Sequence, residues 1–292
     1  MQLAFDNIST DPVHLFEEKD IKISVLRLDK IHPVISGNKW FKLRYYLEEA
    51  KEQRKKKIVT FGGAWSNHIV ATAAASKTYD FLSAGIIRGE EPVQLSPTLL
   101  QAKDQGMQLH FISREDYHEK KLPPEFQNDE CYLVGEGGYG PKGAEGAALI
   151  LKYNKEKFTH CCCAAGTGTM MAGLIRAISP SQKVIGISVL KNNYDLEKNV
   201  RSILGDERKE WQIIHDYHFG GYAKYKPALI KFMNEFYGQT NIPSDFVYTA
   251  KLFFAIYDLV NNDFFPYKSK LLLVHSGGLQ GNISLPKGTL IY

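Results

Sequence analysis

Phe158-Thr-His-Cys-Cys-Cys-Ala-Ala165 followed by Gly166-Thr167-Gly168-Thr169 and then Met170 to Ile178 reads as a buried strand, a glycine turn and a helix. Strand, tight turn and helix in that order form one unit of a parallel α/β sheet. Adjacent strand residues point to opposite faces, so Cys161 to Cys163 cannot converge on one metal, and their spacing is not a disulfide framework. Small core residues of a buried strand are expected there instead, and no metal site. At the turn, free backbone N–H groups and the positive end of the helix dipole converge where an anion would sit. A glycine turn between strand and helix also occurs without any ligand, but if an anion binds, a lone phosphate suits the loop better than a nucleotide. The glycine after Gly168 is Gly173, which misses the dinucleotide spacing, and the next strand ends Val189-Leu190-Lys191 without an acidic residue for a ribose. Met170-Met171 also stand where a Walker lysine would be needed.

Working outward, the same unit recurs. Ile21 to Leu28 alternates as a strand, and then come Ile58 to Phe61 with Ser66 to Lys77, Phe81 to Ile87 with Pro97 to Gln105, and Met107 to Ile112 with a polar segment leading to Tyr132-Leu133-Val134. Beyond the opening stretch, Val184 to Leu190 leads into Leu196 to Leu204, helices follow Pro227 and Thr249, and strand Leu271 to Val274 ends in His275-Ser276-Gly277-Gly278. The glycine-rich run from Gly135 to Gly143 is expected to be a long turn at a lobe boundary. The predicted fold is α/β, with two open twisted, mainly parallel sheets, helices on both faces and one shared cleft. There is no fixed-period repeat or low-complexity tract.

Composition narrows the function. At 292 residues and 44% hydrophobic the chain can bury a large core, and 36 basic against 32 acidic residues are too balanced for a nucleic-acid surface. The basic cluster Arg54-Lys55-Lys56-Lys57 lies between a helical pattern and a strand and reads as a solvated helix end. No apolar run approaches a membrane span, and Met1 to Asp6 lacks a basic start followed by an apolar signal core, so a cytoplasmic protein is expected.

Ser36-Gly37-Asn38-Lys39-Trp40-Phe41-Lys42-Leu43 puts a lysine between a glycine turn and a helix start. A lysine amine attacks only when unprotonated, and a partly dry pocket lowers its pKa enough to bond an aldehyde cofactor. Lys39 is the candidate; the alternative is that Lys39 and Lys42 are solvated charges. Ser66-Asn67-His68 also opens a helix after a strand. Asn67 can donate to an aromatic oxygen, Ser66 can cap the helix or face a ligand, and His68, with no carboxylate partner in view, is expected to pack or hydrogen-bond. Tyr222 and Tyr248 are core, interface or site residues, and His275-Ser276 ends a strand at the carboxyl edge where open α/β sheets place ligands.

Taken in order and spacing, Gly37-Asn38-Lys39, Ser66-Asn67-His68, the Gly137 to Gly146 turn, Gly166 to Thr169 with Ala172-Gly173-Leu174, Tyr248-Thr249-Ala250-Lys251 and His275 to Gly278 resemble one family over nearly the whole chain. These motifs are similar to those of the pyridoxal-phosphate enzymes of the tryptophan synthase β-like fold (fold type II), in the branch of D-cysteine desulfhydrase and 1-aminocyclopropane-1-carboxylate deaminase. The resemblance implies pyridoxal 5'-phosphate held by Lys39 through its aldehyde, by Asn67 at its ring hydroxyl and by Gly166, Thr167, Gly168 and Thr169 at its phosphate. It implies that Ser66 faces the substrate carboxylate or reacting carbon, that Tyr222 and Tyr248 line the substrate side, and that Thr249 or Ser276 approaches the pyridine nitrogen. It also implies a homodimer and a division into residues 1–43 plus 145–292, a large cofactor domain, and 44–144, a small domain contributing the Ser-Asn-His loop.

Deaminases of this branch carry a glutamate where this chain has Thr249 and an aliphatic residue where it has Ser276. A hydroxyl does not enforce a charged pyridine nitrogen, and a weaker electron sink suits expulsion of a good β leaving group better than opening of a cyclopropane. The expected activity is therefore desulfhydrase-like β-elimination from a small amino acid, giving a 2-oxo acid and ammonia, with Lys39 as anchor and then general base, in a lyase or hydrolase. The alternatives are cyclopropane deamination, a non-catalytic protein that binds the cofactor, and a nucleotide-binding oxidoreductase, which the loop spacing opposes. Phe41 and Trp65 depart from the family pattern and are expected to make the pocket mouth bulkier.

Overall fold

The computed structural model describes residues 3–15 and 19–292; Met1 and Gln2, which open the N-terminal stretch read above, lie outside the described residues. In chain order its first half runs β1 (Thr10–Val13), β2 (Lys22–Arg27), α1 (Asn38–Glu52), β3 (Lys57–Gly62), α2 (Asn67–Thr78), β4 (Leu82–Arg88), α3 (Pro97–Asp104), β5 (Met107–Ile112), α4 (Arg114–His118) and β6 (Cys131–Val134). The second half continues α5 (Pro141–Ala148), β7 (His160–Ala165), α6 (Thr169–Ala177), β8 (Lys183–Ser188), α7 (Leu196–Leu204), β9 (Glu210–Ile214), α8 (Pro227–Thr240), α9 (Thr249–Asn261) and β10 (Lys270–His275).

The strands form two sheets, β1-β2-β10-β7-β8-β9 and β5-β4-β3-β6. Every pairing is parallel except β1 with β2, as the repeated strand-and-helix units predict. Alternation along β7 shows why its cysteines are core residues. Cys161 and Cys163 pack into one cluster with residues of α5, α6 and α7, while Cys162 enters the opposite cluster with residues of α8 and α9. Burial pushes the Cys163 thiol up to about 12 and the other two well above their ordinary value, so all three are inert small hydrophobes. The smaller sheet is likewise covered on both faces, by α2 and α3 on one side and α4 on the other.

The basic cluster behaves as a solvated helix end: Lys55 donates to the Asp129 carbonyl and Lys56 pairs with Glu130. The run expected to be a long turn is different. It contains a short 3-10 segment, Glu136–Gly138, and then α5, which starts with Pro141 in the first turn where a missing N–H costs nothing. Gly143 and Gly146 are poor helix formers, each weaker than alanine by about 1 kcal/mol. They are needed because α5 is wedged between α1 and α6: a Cβ on Gly146 would lie 1.8 Å from the Phe41 carbonyl oxygen, and one on Gly173 of α6 would lie 2.4 Å from that of Ala144. β1 and β9, both edge strands of four and five residues, are too short to show a clear alternation in the sequence.

Candidate active site

The carboxyl ends of β3, β4, β7 and β10 face a cavity of about 490 Å³ whose wall includes Lys39, Ser66, Asn67, Gly166, Tyr222 and Ser276. Lys39 is delivered by the Gly37 turn. Gly37 sits at φ +67°, its N–H donates to the Leu28 carbonyl at 3.1 Å, and the Asn38 N–H donates to the Ser276 carbonyl at 3.1 Å. The turn is thereby pinned to the end of β10. Lys39 Nζ donates to Asn38 Oδ1 at 2.8 Å and stands 5.9 Å from the centre of the Tyr248 ring. Burial draws its pKa down from 10.5 to about 8, against the partial opposition of the Asp245 carboxylate. Since the unfolded chain holds more protons between those two values, the penalty this buried group imposes on the fold is relieved as pH rises through that window. The reaction of the apoprotein with an aldehyde at Lys39 is expected to quicken about tenfold per pH unit up to about pH 8 and then level off. Stopped-flow absorbance checks this, and a rate flat between about pH 6 and pH 8 would contradict a buried ammonium.

Across the cavity, Gly166, Thr167 and Gly168 line the wall between β7 and α6. Gly168 has φ +81°, and a Cβ there would lie 2.6 Å from the Val200 side chain. Thr169, the first residue of α6, does not line the cavity: it is fully buried and its hydroxyl shares a 3.0 Å hydrogen bond with that of Thr167, which does. Lys42, one helical turn beyond Lys39 and on the same face of α1, corrects the alternative reading of a solvated charge, since it is only 5% exposed. It donates to the carbonyl of Gly137, where an added Cβ would lie 3.1 Å from the Thr167 side chain, and also lines the cavity. Burial and the neighbouring Lys39 charge hold the Lys42 amine well below its ordinary pKa. A phosphate dianion in the loop would supply the missing countercharge.

Ser66 caps α2, accepting the Ile69 N–H at 3.4 Å, and also lines the cavity. His68 is buried as expected. Its Nε2 lies 2.8 Å from the Thr60 hydroxyl, which itself donates to the Val134 carbonyl, so Nε2 carries the proton and Nδ1 is an acceptor. Burial and the charges of Lys42 and Lys39 hold His68 neutral. His68 Nδ1 and Asn67 Oδ1 are buried and have no partner among the described residues. Two orphaned polar atoms beside a glycine cradle and a low-pKa lysine are the inventory that a phosphorylated aromatic aldehyde would complete.

The two candidates for the ring nitrogen separate. Ser276 lines the cavity. Thr249 does not: it is fully buried at the start of α9, where its hydroxyl donates to Asp245 Oδ2 at 2.7 Å and accepts the Asp245 N–H at 2.7 Å. Asp245, missed by the sequence reading, is fully buried and takes up the start of α9 by accepting the N–H groups of Val247, Tyr248 and Thr249 as well. Tyr222 and Tyr248 both reach the cavity, edge to face with ring centres 6.3 Å apart. Phe41 corrects the expectation of a bulkier mouth: it is 2% exposed and packs in the core against Phe5 and Tyr153, because its position on α1 points away from the cleft. Trp65, 41% exposed, does stand at the cavity wall.

A family model described as pyridoxal-phosphate dependent enzyme matches residues 13–277. The chain is 32% identical over 300 residues to a Thermotoga maritima protein provisionally named 1-aminocyclopropane-1-carboxylate deaminase, covering 91% of this chain and 92% of that one. It is 28% identical over 279 residues to the mitochondrial bifunctional D-cysteine desulfhydrase/1-aminocyclopropane-1-carboxylate deaminase of Arabidopsis thaliana, covering 85% and 70%. Among solved structures, a crystal structure described as an ACC deaminase homologue superposes with a TM-score of 0.80 at 24% identity, covering 94% of this chain and 90% of that one, which establishes the shared fold. Among the described residues, no helix is long and apolar enough to cross a membrane.

Proposed function

The chain belongs to the pyridoxal-phosphate-dependent enzyme family, and from that premise we propose that it catalyses β-elimination from a small amino acid, releasing a 2-oxo acid and ammonia in the manner of a D-cysteine desulfhydrase. The cofactor, when bound, supplies an electron sink conjugated to the substrate's α carbon. Lys39 would hold the cofactor aldehyde, and its amine, when free, would take the substrate's α proton; a pKa near 8 suits both duties. Asn67 bonds the ring hydroxyl, Gly166 to Thr169 hold the phosphate with Lys42 beside them, and Ser66 orients the substrate carboxylate. Tyr222 and Tyr248 close the substrate side and keep their protons, since burial raises both hydroxyls. Residues 44–144 act as the smaller unit that brings the Ser66 loop to the cleft. A homodimer in the cytoplasm completes the proposal.

What supports the desulfhydrase-like choice is the pair of residues expected near the ring nitrogen. Of Thr249 and Ser276 it is Ser276 that lines the cavity, and the nearby buried carboxylate, Asp245, has its oxygens engaged by three backbone N–H groups and the Thr249 hydroxyl. Without a free carboxylate to enforce a protonated nitrogen, the sink is weak, which favours substrates with a good β leaving group. The class is lyase, not hydrolase: the deciding bond breaks by elimination, and water acts only on the product. Cyclopropane deamination is kept as the second activity because the relatives named above include it in their names.

Assay of pyruvate and 2-oxobutyrate release from D- and L-cysteine, D- and L-serine and the cyclopropane amino acid tests the choice. Pyruvate from a cysteine enantiomer is expected to exceed 2-oxobutyrate from the cyclopropane substrate; the reverse order would transfer the assignment to the deaminase.

A further inference from the structure

The cavity has a second charged wall. Arg88 is the last residue of β4 and Arg114 the first of α4, directly after β5; Arg88 is in register with Ile112, so both guanidinium groups rise from the carboxyl ends of neighbouring strands. Both line the cavity. The strand on the other side of β4 is β3, whose following loop carries Ser66 and Asn67. Along this sheet edge the cavity therefore meets the Ser66 loop, then Arg88, then Arg114, each one strand spacing of ~4.8 Å further out. An Arg88 terminal nitrogen lies 3.9 Å from the point where a Cβ on Gly63 would stand, which places it over the same loop. Its guanidinium also faces the Tyr117 ring with centres 5.8 Å apart.

Among the described residues neither guanidinium has a carboxylate partner. Glu136, the acid at this wall, is already held by the Tyr117 hydroxyl at 2.6 Å and by Lys120. Two uncommitted arginines at the substrate side of an active-site cavity are a waiting anion site, since the planar fork matches carboxylate, sulfonate and phosphate oxygens. The α-carboxylate is allotted to the Ser66 loop, so the arginines address a different group. A tetrahedral oxyanion on the β carbon stands immediately beside the α-carboxylate, as the Arg88 guanidinium stands beside the loop that carries Ser66.

We propose that the enzyme selects 2-amino acids whose β substituent is itself a tetrahedral oxyanion, a sulfonate or a phosphate ester, and that Arg88 and Arg114 bind that group. This rests on the β-elimination reading above and extends it to the leaving group. The α proton passes to the Lys39 amine, the Cβ–S or Cβ–O bond breaks, and its electron pair departs on sulfite or phosphate, with no oxidant or reductant required. A stable departing anion gripped by two guanidinium groups matches the weak sink that Ser276 provides.

The test compares holoenzyme kinetics with D- and L-cysteate and D- and L-phosphoserine against cysteine and serine of the same configuration. Alongside, calorimetric binding compares the unreactive analogue 2-amino-3-phosphonopropionate with alanine. Charge-assisted hydrogen bonds of this kind are expected to give kcat/KM for one anionic substrate about 30-fold above its uncharged counterpart, and Arg88→Gln or Arg114→Gln should reduce that ratio about tenfold or more. Cysteate or phosphoserine as the better substrate tells sulfonate from phosphate. A ratio near one, or one unchanged in both variants, overturns the inference while elimination from cysteine leaves the proposed function standing. If no amino acid yields a 2-oxo acid, the proposed function falls and calorimetry decides the anion site. Phosphonate binding weakened in the Gln variants upholds it, and binding unaltered by them overturns it.

Discussion

Replacing Lys39 by alanine is expected to lower 2-oxo acid release by at least about 10³-fold, because one side chain supplies both the covalent anchor and the base. Lys42 does not substitute for it. Its amine is committed to the Gly137 carbonyl and lies one helical turn away, toward the phosphate loop. The measurement separates the two lysines chemically: borohydride reduction of the holoenzyme, proteolysis and mass mapping should recover the pyridoxyl group on the Lys39 peptide, and none in the variant. Label on Lys42, or turnover within tenfold of the parent in Lys39→Ala, would remove Lys39 from the centre of the site.

Gly37→Ala should be among the most damaging single methyl additions in the molecule. The added carbon would lie 1.8 Å from the Ser276 carbonyl oxygen and 2.5 Å from the Gly277 nitrogen, both backbone atoms that cannot rotate aside. Its φ of +67° adds roughly 1 to 2 kcal/mol of backbone cost for any L side chain. The turn and the end of β10 must part, so Lys39 and Ser276 move together. Urea denaturation is expected to show a loss of at least about 3 kcal/mol, and a displacement near 1 Å would reduce turnover about 10²-fold. Gly205→Ala is the control: it has a similar φ of +65° but no atom within 4 Å, so it carries the backbone cost alone. Equal losses in the two variants would show that close approach at Gly37 is not what holds the lysine turn in place.

Much of this architecture was legible because it is local. A run of small apolar residues ending in Gly166-Thr167-Gly168-Thr169 is strand, turn and helix whatever surrounds it, and the missing third glycine and missing lysine already excluded a nucleotide. Lys39 after Gly37 likewise declared itself through turn chemistry. The α5 helix did not, since Gly143 and Gly146 carry the composition of a turn and are tolerated only by the close approach of α1 and α6.

Residue identity alone determined the strand-and-helix rhythm, the Gly166 to Thr169 turn and the Gly37-Asn38-Lys39 turn, each written within a window of a dozen residues by side-chain periodicity and backbone freedom. The tertiary structure decided which hydroxyl faces the cofactor cavity, that Phe41 turns into the core, and that Lys42, Arg88 and Arg114 join the site. Thr249 and Ser276 are equally plausible as isolated hydroxyls. What separates them is Asp245, whose buried carboxylate claims Thr249 as a hydrogen-bond partner, and such competition exists only once distant segments are packed together.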